Sequence, residues 1–259
     1  LTLADSKAVI KKYNNPDKLL TDYYEEQVIG EIWGYVTEGF FIDDEDVASH
    51  AKQSPEMRAS PTNLWYPGDI KFKDLNNDGF INRGTNRVSN PGDRIIIGNN
   101  RPRFTYGVNL DADWNNIFFS TFFQGVGKQD WYPSTEAEFF WGQYNRPYNN
   151  IPKFHLGNMW TPENPNAYLP RTMSRAASSS TSRTLGVAQT NIQMGYNLPS
   201  SITSKIRASA FKIYVSGENL WSWSPLYRIV KHIDPENTSG SDRILSGGTS
   251  GDGYNYPML

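Results

Sequence analysis

Residues 104–125 read Phe104-Thr105-Tyr106-Gly107-Val108-Asn109-Leu110-Asp111-Ala112-Asp113-Trp114-Asn115-Asn116-Ile117-Phe118-Phe119-Ser120-Thr121-Phe122-Phe123-Gln124-Gly125. The first arm alternates without a break. Phe104, Tyr106, Val108, Leu110, Ala112 and Trp114 share one face, and Thr105, Gly107, Asn109, Asp111 and Asp113 share the other. A period of two predicts a β-strand with one apolar and one polar side. About ten residues is the length at which a tilted strand crosses a bilayer. Asn115-Asn116 suits a two-residue type I′ turn, because Asn tolerates positive φ. Such a turn sets Trp114 opposite Ile117, and the apolar face continues through Phe119, Thr121 and Phe123. Phe118 and Phe122 break the pattern by falling on the polar side with Ser120 and Gln124. Trp114 and Ile117 stand at the turn end, where a membrane barrel carries an aromatic girdle. Taken alone, the hairpin fits a soluble β-sandwich with one face in a core as well as it fits a membrane barrel.

The pattern recurs downstream. In 188–198, Ala188, Ile192, Met194, Tyr196 and Leu198 oppose Asn191, Gln193, Gly195 and Asn197. In 211–218, Phe211, Ile213, Val215 and Gly217 oppose Lys212, Tyr214, Ser216 and Glu218. A short turn beginning at Pro199 joins these two arms, whereas 126–185 and 219–259 are long connections. Short turns on one side and long loops on the other is the layout of an outer-membrane barrel, and a compact soluble domain rarely carries loops of that length. The reading that follows is an all-β chain forming part of an antiparallel transmembrane barrel. Its membrane hairpins lie at 104–125 and 186–218, and 13–103 forms an extracellular segment.

Composition narrows the classes. The chain has 259 residues, 37% hydrophobic and 14% aromatic, with no cysteine and a formal net charge of −2. No apolar run approaches the roughly 18 residues of a membrane helix. The charge gives no electrostatic case for nucleic acid. Without cysteine there is no disulfide framework, thiolate nucleophile or cysteine-based zinc site. His50, His155 and His232 lack metal-ligand spacing. The Asp43–Asp46 run reads as a solvated, helix-opening segment rather than an acid/base pair. An enzyme is therefore not expected. Residues 1–12 read as the end of a strand, and 28–41 read as strand with glycines that imply bends or close backbone approach. Residues 174–184 and 246–253 read as Ser- and Gly-rich loop.

Asp74-Leu75-Asn76-Asn77-Asp78-Gly79-Phe80-Ile81-Asn82 fits the first nine positions of an EF-hand-type loop. Side-chain oxygens fall at positions one, three and five, Gly79 supplies the sharp turn, Phe80 a backbone carbonyl, and Asn82 the ninth position. Thr85 replaces the bidentate Glu of position twelve, so the sixth candidate ligand is Asp93, across the inserted Gly84–Gly92 stretch. A structural Ca²⁺ is one expectation. An Asx-rich turn without metal is the other.

Several stretches together resemble the C-terminal region of SusC/RagA-type TonB-linked outer-membrane transporters. They are Pro67-Gly68-Asp69-Ile70-Lys71-Phe72 running into the Asp74–Asn82 loop, Asp93-Arg94-Ile95-Ile96-Ile97-Gly98-Asn99, Pro102-Arg103-Phe104-Thr105-Tyr106-Gly107, and Phe122-Phe123-Gln124-Gly125. Gly30–Phe41, Trp160-Thr161-Pro162-Glu163-Asn164-Pro165-Asn166-Ala167, Met194-Gly195-Tyr196-Asn197-Leu198-Pro199 and Tyr214-Val215-Ser216-Gly217-Glu218-Asn219-Leu220 agree with it in order. The resemblance implies a barrel of about 22 strands. It implies import of a glycan or peptide across the outer membrane of a Gram-negative bacterium, with a SusD-like surface lipoprotein and energy from TonB. About five of those strands are expected here, with the signal peptide, plug, TonB box and last strand outside 1–259. Aromatic residues of the long loop, Trp131, Tyr132, Trp141 and Tyr144, are candidate substrate contacts. The rival from another class is a soluble, secreted, calcium-containing glycan-binding β module.

Overall fold

The computed structural model describes residues 1–54, 64–131, 153–171, 183–184, 187–218 and 220–228. Its elements are β1 (Thr2–Ala4), β2 (Glu31–Tyr35), β3 (Thr37–Phe40), α1 (Asp44–Ser49), β4 (Lys52–Gln53), β5 (Ile70–Phe72), β6 (Phe80–Ile81), β7 (Arg94–Asn99), β8 (Arg103–Trp114), β9 (Ile117–Lys128), β10 (Asp130–Trp131), β11 (Arg183–Thr184), β12 (Val187–Asn197), α2 (Ser200–Thr203), β13 (Lys212–Gly217) and β14 (Ser222–Trp223). The chain divides into two units. One comprises Leu1–Ser6, Pro102–Gln129 and Thr184–Pro225, and the other Lys7–Arg101, Asp130–Arg183 and Leu226–Leu259.

The first unit is one antiparallel sheet in the order β1-β8-β9-β12-β13, with β14 also paired to β12. Its register follows from the β8–β9 turn. Asn115 and Asn116 both have positive φ, 52° and 68°, the conformation of a type I′ turn, whose twist matches that of its strands. Trp114 is thereby set opposite Ile117. Ladders then run across the sheet on alternate faces. Trp114, Ile117, Tyr196 and Ile213 form one row, and Ala112, Phe119, Met194 and Val215 the next. On the other face Asp111 opposes Ser120, then Gln193 and Ser216, while Asp113 opposes Phe118, then Gly195 and Tyr214. Large side chains of the apolar face stand open: Val215 is 77% exposed, Trp114 76%, Ile213 57% and Met194 56%.

The two phenylalanines that break the alternation have a steric reason for doing so. Phe118 lies across Gly195 and is buried. A Cβ on Gly195 would come within 2.4 Å of the Phe118 ring and 2.5 Å of the Ile213 carbonyl oxygen. Phe122 lies over Gly107 in the same way, 3.2 Å from where a Cβ would stand. Each ring fills the gap left by a glycine on the neighbouring strand, and the Lys212 ammonium sits 3.7 Å over the Phe118 ring. The connection from Pro199 is helical: α2 leads into a 3₁₀ turn over Ser204–Ile206, and Arg207 closes it in the left-handed conformation.

The second unit is assembled from short strand pairs: β2 with β7, β3 with β5, and β4 parallel to β6. Its core is Tyr35, Ile70, Phe72 and Ile81, with Phe40, Ala51 and Trp65 against it. Strands this short leave many backbone groups outside any ladder, and side chains take their place. Gln53 donates to the Ile70 carbonyl and accepts from the Phe72 amide. Asp43 caps α1 by accepting from the Asp46 amide at 2.8 Å, and the Asp46 carboxylate accepts from the Ile42 amide in return. That reciprocity is the logic of a capping box. Burial pushes the Asp46 carboxyl up, but the Lys71 ammonium at 2.6 Å and the Ile42 amide together hold it below its ordinary value. Burial, and then the Glu31 carboxylate it donates to, raise the Tyr24 phenol above its usual range.

The Gly195→Ala substitution should cost about 1–3 kcal/mol, the usual range for forcing a methyl into a filled site, because backbone as well as a ring stands in the way. Urea unfolding followed by tryptophan fluorescence measures this. Stability equal to the parent's would show that Phe118 does not need the glycine.

Candidate transport surface and the Asx-rich loop

The 74–93 segment is ordered by its own carboxylates and amides. Asp74 accepts from the Asn77 amide at 2.7 Å and the Gly79 amide at 2.8 Å. Asn76 accepts from the Asp78 amide and donates to the Asp78 carboxylate, each at 2.9 Å. Asp78 accepts from the Phe80 amide, and Asn82 donates to the Phe80 carbonyl while accepting from the Gly84 amide. Asn77 and Gly79 take the positive φ that this winding needs. Asp74, Asn76 and Asp78 are thus brought together on one exposed turn.

Asp93 is placed differently. It is completely buried, and its two oxygens accept from the Leu75 amide at 2.9 Å and the Asn82 amide at 2.8 Å. These amides lie at the beginning and end of the Asx-rich turn, so Asp93 clamps the turn at its base. The intervening insertion closes on itself. Thr85 donates through its amide to the Asn90 carbonyl, and Gly84 and Gly92 approach so closely that a Cβ on Gly92 would stand 2.4 Å from the Gly84 nitrogen. Among the described residues no group of three or more His, Asp or Glu side chains is gathered as a metal centre.

A second carboxylate clamp escaped the sequence reading. Asp69, also fully buried, accepts from the Arg171 guanidinium at 2.8 Å and from the Tyr66 amide at 3.0 Å. Arg171 lies over the Tyr66 ring and donates its amide to the Gly68 carbonyl. Gly68 has φ of 84°, and a Cβ there would meet the Trp160 ring at 2.3 Å. The Trp160–Arg171 loop is therefore docked on Pro67-Gly68-Asp69. Both stretches were visible as motifs, but nothing in either one indicates that they touch.

On the polar face of the sheet, Asp111 accepts from the Ser120 hydroxyl at 2.6 Å. Asn109, Gln193 and Lys212 share that face through the register. Of the aromatic candidates, Trp131 is in β10, of whose side chain nothing is described, and Tyr132, Trp141 and Tyr144 lie outside the described residues.

No family model matches the chain. Curated relatives do. TonB-dependent receptor P3 of Formosa agariphila is 30% identical over 204 residues, covering 77% of this chain and 18% of the receptor. The chain is homologous to the TonB-dependent receptors. TonB-dependent receptor P26 of the same organism is 26% identical over 201 residues, covering 73% of this chain and again 18% of the receptor. Among solved structures, the RagAB peptide transporter matches 92% of this chain and 22% of its own, with a TM-score of 0.53 and 15% identity. At that identity the likeness is one of fold. The chain spans less than a quarter of the length of each of these proteins. TonB-dependent receptors are outer-membrane proteins of Gram-negative bacteria and not enzymes.

Asp93→Ala should leave the part-buried Leu75 and Asn82 amides without acceptors, at up to about 1–3 kcal/mol for each unsatisfied group. The 74–93 segment should become the first site of limited proteolysis. A cleavage pattern unchanged from the parent's would show that the clamp is dispensable.

Proposed function

We propose that the chain is the C-terminal barrel segment of a SusC/RagA-type importer that takes up a glycan or peptide beneath a SusD-like lipoprotein. One observation carries this reading. Of the ten apolar side chains found buried among the residues whose side chains are described, Phe118 alone belongs to the sheet unit. The sheet's large apolar residues point outward instead, in continuous rows across β8, β9, β12 and β13. A face of that kind is stable against hydrocarbon and is a liability in water. In this arrangement Val108, Leu110, Phe119, Ile192, Met194, Ile213 and Val215 face lipid, and Asn109, Asp111, Gln193 and Lys212 face the lumen. The Asn115–Asn116 and Pro199–Arg207 turns point to the periplasm. The connections 13–103, 126–185 and 219–259 form the outer mouth, where Trp131, Tyr132, Trp141 and Tyr144 are the proposed substrate contacts. The fold match to a peptide transporter supports this reading, as does homology to receptors more than four times the length of the matched segment. The plug and the TonB contact would belong to the remainder of such a receptor.

The test is the difference between the two faces. In the complete receptor folded into vesicles, Arg at the bilayer-midplane positions among Leu110, Met194 and Val215 should cost roughly 2–4 kcal/mol, and Gln193→Arg much less. Equal costs on both faces would sink the assignment. Affinity purification of the same receptor should bring down a lipoprotein, and its recovery alone would count against the partnership.

The Asx-rich turn is proposed as a structural Ca²⁺ site built from Asp74, Asn76 and Asp78, the Phe80 carbonyl and Asn82, with Asp93 holding it in shape. The donor set fits a hard cation, since each carboxylate or amide oxygen that accepts one N–H keeps a further lone pair. Added Ca²⁺ should slow proteolysis of 67–103, and the Asp74→Ala, Asp78→Ala double variant should lose that protection. Identical digestion in calcium and in chelator would refute the site.

A further inference from the structure

We propose that the connection between β12 and β13 is an interfacial lipid anchor. Ile202 and Ile206 enter the acyl boundary of the phospholipid leaflet beside it, while Lys205 and Arg207 meet lipid phosphates. This rests on the membrane reading above and adds a second point of lipid contact to it.

The connection is an ordered element. Thr203 is buried, its hydroxyl donates to the Ser200 carbonyl, and its own carbonyl accepts from the Ala208 amide. Yet Ile202 and Ile206, four residues apart, are 47% and 56% exposed. Burying a side chain of that size stabilises by roughly 1.5–3 kcal/mol, a gain that this ordered turn forgoes twice. The geometry of reversal does not require them. The neighbouring connection is at the same end of the sheet, since the Asn197 amide donates to the Asn116 carbonyl at 2.8 Å, and it turns with two asparagines.

The connection also begins and ends at the apolar face of the ladder. The Leu198 amide donates to the Phe211 carbonyl, extending the β12–β13 ladder to the edge of the turn, and the alternation puts Phe211 in one column with Ile213 and Val215. Phe211 is itself 45% exposed. Charge selects the occupant. Residues 198–211 contain no acidic side chain, and their two cations, Lys205 and Arg207, have no carboxylate partner among the described residues. Exposed isoleucines flanked by unpaired cations, at the rim of a membrane-facing sheet, are the composition of an interfacial segment. There the apolar groups enter the acyl boundary and the basic ones stay at the headgroups.

The experiment uses the complete receptor with single cysteines at Ile202→Cys or Ile206→Cys, carrying an environment-sensitive fluorophore, in phosphatidylethanolamine–phosphatidylglycerol vesicles. Both positions are exposed, so folding is retained. Val215→Cys serves as the membrane reference and Asn116→Cys as the aqueous one. Labels at 202 and 206 should be quenched by acyl-chain nitroxides several-fold more than by iodide, as at 215. Removing phosphatidylglycerol, or the Lys205→Ala, Arg207→Ala double variant, should reduce that ratio. Quenching by iodide as at 116 would overturn the anchor, and shielding from both quenchers would overturn it in favour of a covering protein. Iodide access at 215 as well would remove the membrane reading itself, so the two failures are distinguishable.

Discussion

The two positive φ values at Asn115 and Asn116 set the register on which every face assignment in the sheet depends. With the loop fixed at two residues, Trp114 must oppose Ile117. From there β12 and β13 inherit the same alternation across their ladders. A slip of one residue would carry Leu110, Phe119 and Met194 to the side now held by Asp111, Ser120 and Gln193, because the side-chain period along a strand is two. The glycine–phenylalanine pairs reinforce the register independently. Phe118 lies over Gly195 and Phe122 over Gly107, and a Cβ at Gly195 would run into the Phe118 ring.

Those pairs also show where the sequence stops being legible. The strands, the Asn-Asn turn and the helix opened by Asp43 could be read locally, because alternation, positive-φ tolerance and capping act over a few residues. Phe118 and Phe122 looked like faults in the pattern, since the glycines that accommodate them lie on other strands and leave no trace in the local period. The helical form of the Pro199–Arg207 connection was missed for a related reason. Its Ser- and Thr-rich composition suits a turn equally well, and what orders it is the burial of one side chain, Thr203. In the Asx-rich loop the donor spacing was readable, but the role of Asp93 was not. A carboxylate eleven residues past Asn82 can become a ligand or a clamp, and the closed Gly84–Gly92 insertion delivers it to the Leu75 and Asn82 amides.

The second unit solves a different problem. Its strands are two to six residues long, so ladders satisfy only part of its backbone. Buried Asp69 and Asp93 each accept from two donors and thereby tie together segments distant in sequence. Asn15 does the same for the 15–23 turn, donating to the Leu19 and Tyr23 carbonyls and accepting from the Leu19 amide. Carboxylates and carboxamides suit this task, because one planar group with several lone pairs can receive two amides at fixed spacing. Replacing such a residue leaves part-buried amides without their acceptor, which is why these positions are more vulnerable than their surface-like residue types suggest.

The two units therefore treat their apolar side chains differently. In the second, Phe72 and Ile81 are fully buried, and polar side chains close the loops around that small core. In the first, the hydrogen-bonded ladder is long and regular, but the apolar residues it displays have no protein layer over them among the described residues. A sheet in water needs a second layer to bury its apolar face. A sheet in hydrocarbon needs instead that its backbone groups be paired along the whole crossing, which the strands of eleven and twelve residues in β8, β9 and β12 provide. The missing layer and the long ladder are two consequences of one requirement. In the proposed membrane placement the bilayer supplies the apolar contact that a core would otherwise supply, and it removes the water that would otherwise satisfy an unpaired amide.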